Sequence, residues 1–332
     1  AVPEQVRHPR APRWPPPNPR CGRGSGQGLG SARRLSRPAM PATTRRDFLG
    51  RLATGSAAAC APLLIPSSAL GRDGHTPPSE RIVVGGIGIG RRGTYDLSCF
   101  LPEKDVQFVA VCDVKQKQRQ AVKSMVDKHY GNSDCEVYRD LREIVARDDI
   151  DAMLIATGPN WHAAATAVAL RAGKDVYCEK PCTKNVAESL ALADLVRRTG
   201  RVFQAGTQRR NLPHFAFACE LAATGRLGKL QTMHAHPAGM TAKTSGWANP
   251  EDQPPREVVD WDLYLGPAAW RPFNKAHLDG FNFEKGGGLV GGGVLEWGSH
   301  CVDLCQLANN ADQEAAVEFH PPENKRIEAH YA

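Results

Sequence analysis

The stretch from Arg81 to Gly93, RIVVGGIGIGRRG, constrains this chain more than any other. Ile82, Val83 and Val84 are β-branched and apolar, as a strand buried on both faces of a parallel sheet requires. The run passes straight into Gly88-Ile89-Gly90-Arg91-Arg92-Gly93, a G-x-G-x-x-G. Gly88 permits a tight turn, Gly90 lets the backbone approach a pyrophosphate, and Gly93 lets the following helix pack close to the strand. The helix that opens at Arg91 then offers its N–H groups and the positive end of its dipole to phosphate oxygens.

Glycine-rich loops are common, so the reading needs a second feature, and one lies 20 residues past Gly93. There a second apolar run, Val106 to Val111, ends in Cys112-Asp113. A carboxylate at the end of the second strand accepts hydrogen bonds from an adenosine ribose and repels a 2′-phosphate, which favours NAD over NADP. Lys115, Lys117 and Arg119 follow and could serve a phosphate, so NADP stays the less favoured alternative. A plain strand-end turn is the other role open to Asp113.

The net charge of +7 over 332 residues invites a nucleic-acid reading, but its location argues against one. Residues 1–79 hold 12 Lys and Arg against 3 Asp and Glu, which leaves 30 against 32 in residues 80–332. Electrostatic binding to nucleic acid needs a basic face on the folded body itself. The ten cysteines form no C-x-x-C pair, and most sit in apolar runs where cysteine packs as a small hydrophobe. Neither a metal site nor a disulfide framework is expected, and Cys178 and Cys182, which flank Lys180, are read as packing residues.

Residues 1–39 are dominated by Pro, Gly, Arg and Ser and begin without Met; such a composition cannot bury enough surface to order itself. They are read as disordered upstream translation, with Met40 as the natural start. Residues 40–79 carry Arg45-Arg46, then Phe48-Leu49, an Ala-rich run and the small residues Ser67-Ser68-Ala69. That order reads as a twin-arginine export signal and linker, hence a periplasmic or otherwise exported protein. Pro62 and Pro66 interrupt the run, which is too short for a stable membrane span.

From 80 to 205 strands and helices alternate with short connections. Strands are expected at Val106–Val111, Cys135–Tyr138, Ala152–Ala156, Asp175–Cys178 and Val202–Ala205. Helices are expected near Gln116–His129, Leu141–Arg147, Ala163–Ala172 (closed by Gly173) and Val186–Arg198. This alternation predicts an α/β doubly wound parallel sheet with its ligand at the carboxyl ends of the strands. From 206 to 332 apolar alternation and Gly clusters point to a second, substrate and oligomerisation domain of the α+β kind, C-terminally incomplete because Arg326–Tyr331 reads as a strand with no partner after it.

Several strand ends resemble the Gfo/Idh/MocA oxidoreductases. The blocks are Ala156-Thr157-Gly158-Pro159-Asn160-Trp161-His162, then Ala172 to Pro181 (AGKDVYCEKP), Gly206 to Arg210 (GTQRR), and Glu296-Trp297-Gly298-Ser299-His300 with Asp303. Trp261–Asn274 (WDLYLGPAAWRPFN) resembles the exported bacterial branch. The resemblance implies an N-terminal Rossmann domain, a C-terminal open-sheet domain that often mediates homo-oligomers, and redox chemistry on a hydroxyl of a sugar or polyol.

By that resemblance Lys180 is the catalytic lysine, placed after the fifth strand to hydrogen-bond the reacting hydroxyl, and His300 is the catalytic histidine. Glu296 and His300 stand i, i+4, with Asp303 one turn on, so a helix would bring all three to one face. A carboxylate there would fix the tautomer of His300 and raise its basicity. Glu296 stands where the family more often has Asp. Thr157, Asn160, His162 and Glu179 are expected at the cofactor, and Gln208, Arg209 and Asp303, beside Lys180 and His300, at the substrate; a capping role is the alternative for His162, Gln208 and Arg209. Among Trp247, Trp261, Trp270 and Trp297, core packing is the default and a sugar-stacking surface the alternative. The leading expectation is an NAD-dependent oxidoreductase of sugars or polyols. An NAD-assisted glycosidase without net redox and a non-catalytic nucleotide- or sugar-binding module stand as alternatives.

Overall fold

The computed structural model describes residues 76–235, 249–278, 294–314, 316–323 and 326–330. The expected disordered leader and nearly all of the expected export signal lie outside these residues, as do the Gly clusters of 286–293. Among the described residues no helix is long and apolar enough to cross a membrane.

Six parallel strands form one sheet: β1 (Ile82–Ile87), β2 (Val106–Cys112), β3 (Glu136–Tyr138), β4 (Ala152–Ile155), β5 (Asp175–Glu179) and β6 (Phe203–Gly206). Their order across the sheet is β3-β2-β1-β4-β5-β6, the doubly wound arrangement that the alternation predicts. The chain leaves β1 toward β2 on one side and returns to β4 on the other, so the order reverses at β1 and opens a crevice at its carboxyl end. The glycine turn stands there.

Helices α1 (Arg91–Phe100), α2 (Gln116–Tyr130), α3 (Leu141–Val145), α4 (Pro159–Arg171) and α5 (Val186–Thr199) connect these strands. Side chains alternate between the two faces of the sheet, and each face has its own core. Ala110, Cys112, Met153 and Ile155 pack with Ala165, Ala169 and Leu170 of α4. Val111, Leu154 and Phe108 pack with Leu97 of α1 and with Val122 and Val126 of α2 on the other face. Each fully buried aliphatic side chain contributes about 1.5–3 kcal/mol, so these two layers set the register of the strand ends that carry the site.

Helix α4 starts at Pro159, four residues before the expected start. Proline fits the first helical position, where its missing N–H costs nothing, and Gly158 precedes it as the extended N-cap. His162 therefore lies inside the helix and not at its beginning. Helix α5 is closed at its start by Asn185, whose side chain accepts from the Glu188 N–H.

Past residue 206 the regular structure described is chiefly helical: α6 (Pro213–Ala223), α7 (Trp261–Leu265) and α8 (Ser299–Ala308). Of the expected second sheet, the described residues contain one antiparallel pair, β7 (Glu318–Glu323) with β8 (Arg326–His330). Helices α6 and α8 pack together, with Cys219 Sγ donating to Leu304 O at 3.6 Å.

The segment from Pro255 to Gly266 crosses the carboxyl edge of the parallel sheet. Val259 forms an antiparallel bridge with Lys115, Gln116 N donates to Val258 O, and Asp260 N donates to Val114 O. Trp161 Nε1 donates to Leu263 O at 2.6 Å, and Asn160 Nδ2 donates to Tyr264 O and Leu265 O at 3.1 and 2.9 Å. Beneath it Trp261, almost fully buried, stacks on Tyr264 and meets Phe273 edge to face.

Candidate active site

A cavity of about 950 Å³ runs along the carboxyl edge of the sheet, a volume suited to a dinucleotide and a small substrate. Asp113, Lys115 and Arg139 line it at the β2 and β3 side; Lys180, Gln208, Arg209, Trp297 and His300 line it at the β5 and β6 side. The glycine turn lies between these ends.

Gly88 has φ +70, and a Cβ there would lie 2.4–2.8 Å from Thr157, so the turn admits only glycine. At Gly90 the opposite holds: a Cβ would meet nothing within 4 Å and would project into open space on the cavity wall. At Gly93 a Cβ would lie 2.9 Å from Ala156 Cβ, which is the close helix–strand contact expected of it. Helix α1 opens at Gly90 without a side-chain cap, with Arg91 on the cavity wall. The Asp113 side chain is buried, and its Oδ1 accepts from Lys115 N at 2.8 Å. An uncapped helix start, an open glycine and a buried strand-end carboxylate together fit a dinucleotide's phosphates and ribose. Arg119, one of the three cations that could have served a 2′-phosphate, is turned instead to the carbonyls of Asp113 and Glu257.

Thr157, Asn160 and His162 all reach the cavity wall, with much of their polar capacity already used. Asn160 Nδ2 is given to the crossing segment, as described, and Thr157 Oγ1 donates to Gly158 O. His162 lines the cavity while its ring is held by the protein itself. Its ring is buried, with Nδ1 2.7 Å from Pro181 O and Nε2 2.9 Å from Thr157 O. Both nitrogens face backbone carbonyls, so the ring braces the turn after Lys180. Burial holds its pKa below the usual histidine value.

Glu179 is likewise engaged within the protein. Its Oε1 accepts from Arg92 Nε at 3.0 Å and its Oε2 from Lys180 N at 3.1 Å. Arg92 also pairs with Asp96 at 2.6 Å, and the Gln208 amide, with its oxygen toward Arg92, accepts from Nη2 at 3.2 Å. Asp96 and Glu179 are both buried, and burial, followed by the neighbouring Glu179 charge, pushes the Asp96 carboxyl up to about 7. Sequence reasoning missed this Arg92–Asp96–Glu179 cluster, because nothing local marks the third variable position of the glycine loop as a partner for the β5 end.

Lys180 and His300 face the same cavity. His300 is buried in the first turn of α8; burial first, then the charges of Lys180, Arg209 and Arg92, hold its pKa down to about 4. Its ring is therefore neutral near pH 7. Among the described residues no carboxylate partners His300, whose Nδ1 is buried without a hydrogen-bond partner. Residues Val294–Gly298 form a π-helical turn and α8 begins only at Ser299, so α-helical i, i+4 spacing does not run from Glu296 to His300. The Glu296 side chain lies outside the described residues.

Asp303 corrects a second expectation. Arg210 takes its carboxylate in a fork, Nε to Oδ1 and Oδ2 at 3.0 and 2.9 Å and Nη2 to Oδ1 at 2.7 Å, and Arg210 also reaches Asp312. Asp303 anchors α8 and is not on the cavity wall. In the GTQRR block, then, Gln208 and Arg209 face the cavity while Arg210 holds the helix that carries His300. Of the tryptophans, Trp261 is core and Trp297, 47% exposed, stands on the cavity wall with its ring centroid 6.2 Å from that of His300.

Comparison with known proteins gives a match over residues 82–207 to the Gfo/Idh/MocA sequence family, described as an oxidoreductase family with an NAD-binding Rossmann fold. "Glycosyl hydrolase family 109 protein 1" of Shewanella sp. (strain MR-4) is 33% identical over 126 residues, covering 37% of this chain and 28% of that protein. "Myo-inositol 2-dehydrogenase" of Thermotoga maritima is 25% identical over 146 residues, 44% of this chain and 42% of the relative. Among solved structures, scyllo-inositol dehydrogenase from Lactobacillus casei, with bound cofactor NAD(H) and scyllo-inositol, is 25% identical with a TM-score of 0.41, covering 45% of this chain and 42% of that one. The chain thus spans less than half the length of these relatives.

Proposed function

We propose that this chain, whose residues 82–207 match the Gfo/Idh/MocA oxidoreductase family with its NAD-binding Rossmann fold, is an NAD-dependent oxidoreductase acting on a hydroxyl of a sugar or polyol. The observation that carries the reading is the meeting of Lys180 and His300 in one cavity beside the glycine turn. When bound, the nicotinamide supplies the hydride acceptor. Lys180, at the end of β5, hydrogen-bonds the reacting oxygen and stabilises the negative charge that builds on it. His300, neutral at physiological pH, takes the hydroxyl proton at a ring nitrogen as the carbon gives up its hydride and the C–O bond becomes a carbonyl. Glu179, through the Lys180 N–H, and His162, through the Pro181 carbonyl, hold the backbone on both sides of the amine.

Screening sugars and polyols against the full chain with NAD, reading NADH fluorescence, tests this. NADH formation with at least one of them, lost in Lys180→Ala and His300→Ala, is the expected result; a chain that binds NAD and reduces it with none would end the proposal.

The glycosyl hydrolase family 109 names among the relatives favour a second reading, in which NAD assists glycoside cleavage with no net redox. Release of sugar from a glycoside without stoichiometric NADH separates the two. The Arg45-Arg46 segment supports export of the protein, and NAD is scarce outside the cytoplasm. On this reading the cofactor is bound before export and retained through turnover.

A further inference from the structure

Arg209 has surroundings that hydride transfer alone leaves without a purpose. Its guanidinium carbon lies over the Trp297 ring, 5.2 Å from the centroid, and over the Phe215 ring at 5.6 Å. Contact with two aromatic rings fixes a planar cation in place and leaves its edge of N–H donors for another partner. The neighbouring arginines show the contrast. Arg92 is paired with Asp96 and Glu179, and Arg210 with Asp303 and Asp312. Among the described residues no carboxylate pairs with Arg209, although it stands on the cavity wall beside His300 and Trp297.

Three cations, Lys180, Arg209 and Arg92, act on His300 at this end of the cavity. Arg92 has its counter-charges within the protein, and Lys180 is placed for the reacting hydroxyl. That leaves Arg209 as a pre-positioned fork facing the space a substrate occupies. Planar bidentate geometry matches a carboxylate. A single guanidinium also balances the single charge of a carboxylate and falls short of a phosphate dianion.

Resting on the oxidoreductase reading, we infer that Arg209 is the residue that recognises an acidic substrate group, and that the substrate is a sugar acid: a polyhydroxylated compound whose carboxylate pairs with Arg209 while a ring hydroxyl meets Lys180 and His300. Trp297 supplies an apolar face beside that ring. The pairing also offsets one of the cations that oppose protonation of His300, so the acidic substrate makes its own proton acceptor more effective.

The test uses the full chain with NAD and matched pairs, each a neutral hexose, its hexuronate and its 6-phosphate, with binding followed by calorimetry and turnover by NADH fluorescence. A charge-assisted bidentate pair gives the hexuronate an advantage on the order of tenfold to a hundredfold. Arg209→Met brings the ratio of the two affinities close to one, and Arg209→Lys, which keeps the charge and loses the fork, leaves it in between. Equal binding of hexose and hexuronate, a ratio untouched by either substitution, or preference for the phosphate overturns the inference. If Arg209→Met fails to fold, the wild-type ratio and Arg209→Lys still decide. NADH formed from hexoses and not from hexuronates overturns this inference alone; no binding and no NADH from any sugar, in a chain that still binds NAD, overturns the oxidoreductase reading with it.

Discussion

Arg92 Nε donates to Glu179 Oε1 at 3.0 Å across 87 positions of sequence, tying the first turn of α1 to the strand end that presents Lys180. Because Glu179 also accepts from the Lys180 backbone N–H, α1 and the backbone that carries Lys180 share one buried anchor. Asp96 completes it at a cost: its Oδ2 is buried without a partner, and its carboxyl is pushed up to about 7 by burial and by Glu179.

That cost makes stability depend on pH. A carboxyl whose folded pKa is raised binds its proton more tightly folded than unfolded, so stability falls as pH rises from 3.8 to about 7 and levels off above. Asp96→Asn removes this slope, which cannot exceed about 1.4 kcal/mol per pH unit for one proton. Urea denaturation should find the variant at least as stable as wild type near pH 8 and no better near pH 4. An unchanged slope would count against the shared anchor.

The two inner glycines of the turn separate folding from binding. Gly88→Ala forces a positive φ on alanine and drives its Cβ into the Thr157 backbone, so it should cost more than about 2 kcal/mol in thermal or urea unfolding. Gly90→Ala meets open space and should shift stability by less than about 0.5 kcal/mol. Its methyl group should nevertheless weaken NAD binding, measured by quenching of intrinsic fluorescence, because it occupies the approach of the pyrophosphate.

Asp113 is expected to decide between nucleotides. Its buried carboxylate is positioned for a ribose hydroxyl pair, and Arg119 is committed to backbone carbonyls. Asp113→Ser should lower NAD affinity by on the order of tenfold to a hundredfold while leaving NADP affinity equal or improved. Titration of both nucleotides against wild type and variant checks the ratio; a variant that loses both equally would remove the discriminating role.

His300 sets the acid limb of catalysis. With its pKa held down to about 4, the ring is already neutral at pH 5, and kcat/KM of the free enzyme should stay level from pH 7 down to that region. An acid limb near 6.5 would mean that neither burial nor the three cations acts on the ring as described. His300→Ala should lower kcat by about 10²–10⁴-fold, the usual contribution of a positioned base.

Asp303→Asn separates the anchor from the site. The Arg210 fork is partly exposed, so its loss should cost about 1–2 kcal/mol of stability and leave KM within twofold for a neutral substrate. A large rise in KM at unchanged stability would return Asp303 to the binding surface.

The strands and helices from 82 to 206 were legible because their signals are local: β-branched runs, alternation, and glycine at helix ends. Asp113 and Lys180 were legible because each follows a strand directly, which puts it at the carboxyl edge. What escaped is what depends on distant partners. No local pattern tells that Arg210 grips Asp303, 93 residues away, or that His162 is enclosed by two carbonyls. The i, i+4 argument at Glu296 assumed unbroken α-helix, and a π turn intervenes. The Trp261–Asn274 block was visible as a block, yet its position over the sheet edge rests on contacts to Asn160 and Trp161 more than 100 residues earlier.

The crossing of residues 255–266 over the β2 and β4 ends leads us to expect that nucleotide release and local opening of this segment are linked. A dinucleotide whose adenosine end lay beside Asp113 and Lys115 would neighbour the Lys115–Val259 bridge and the backbone bonds around it. At a hundredfold excess over Kd the ligand adds about 2.7 kcal/mol to the free energy of any opening that releases it. If release requires that opening, amide hydrogens of Val258 to Leu265 should exchange about a hundredfold more slowly with the nucleotide bound, and unchanged exchange would separate the two.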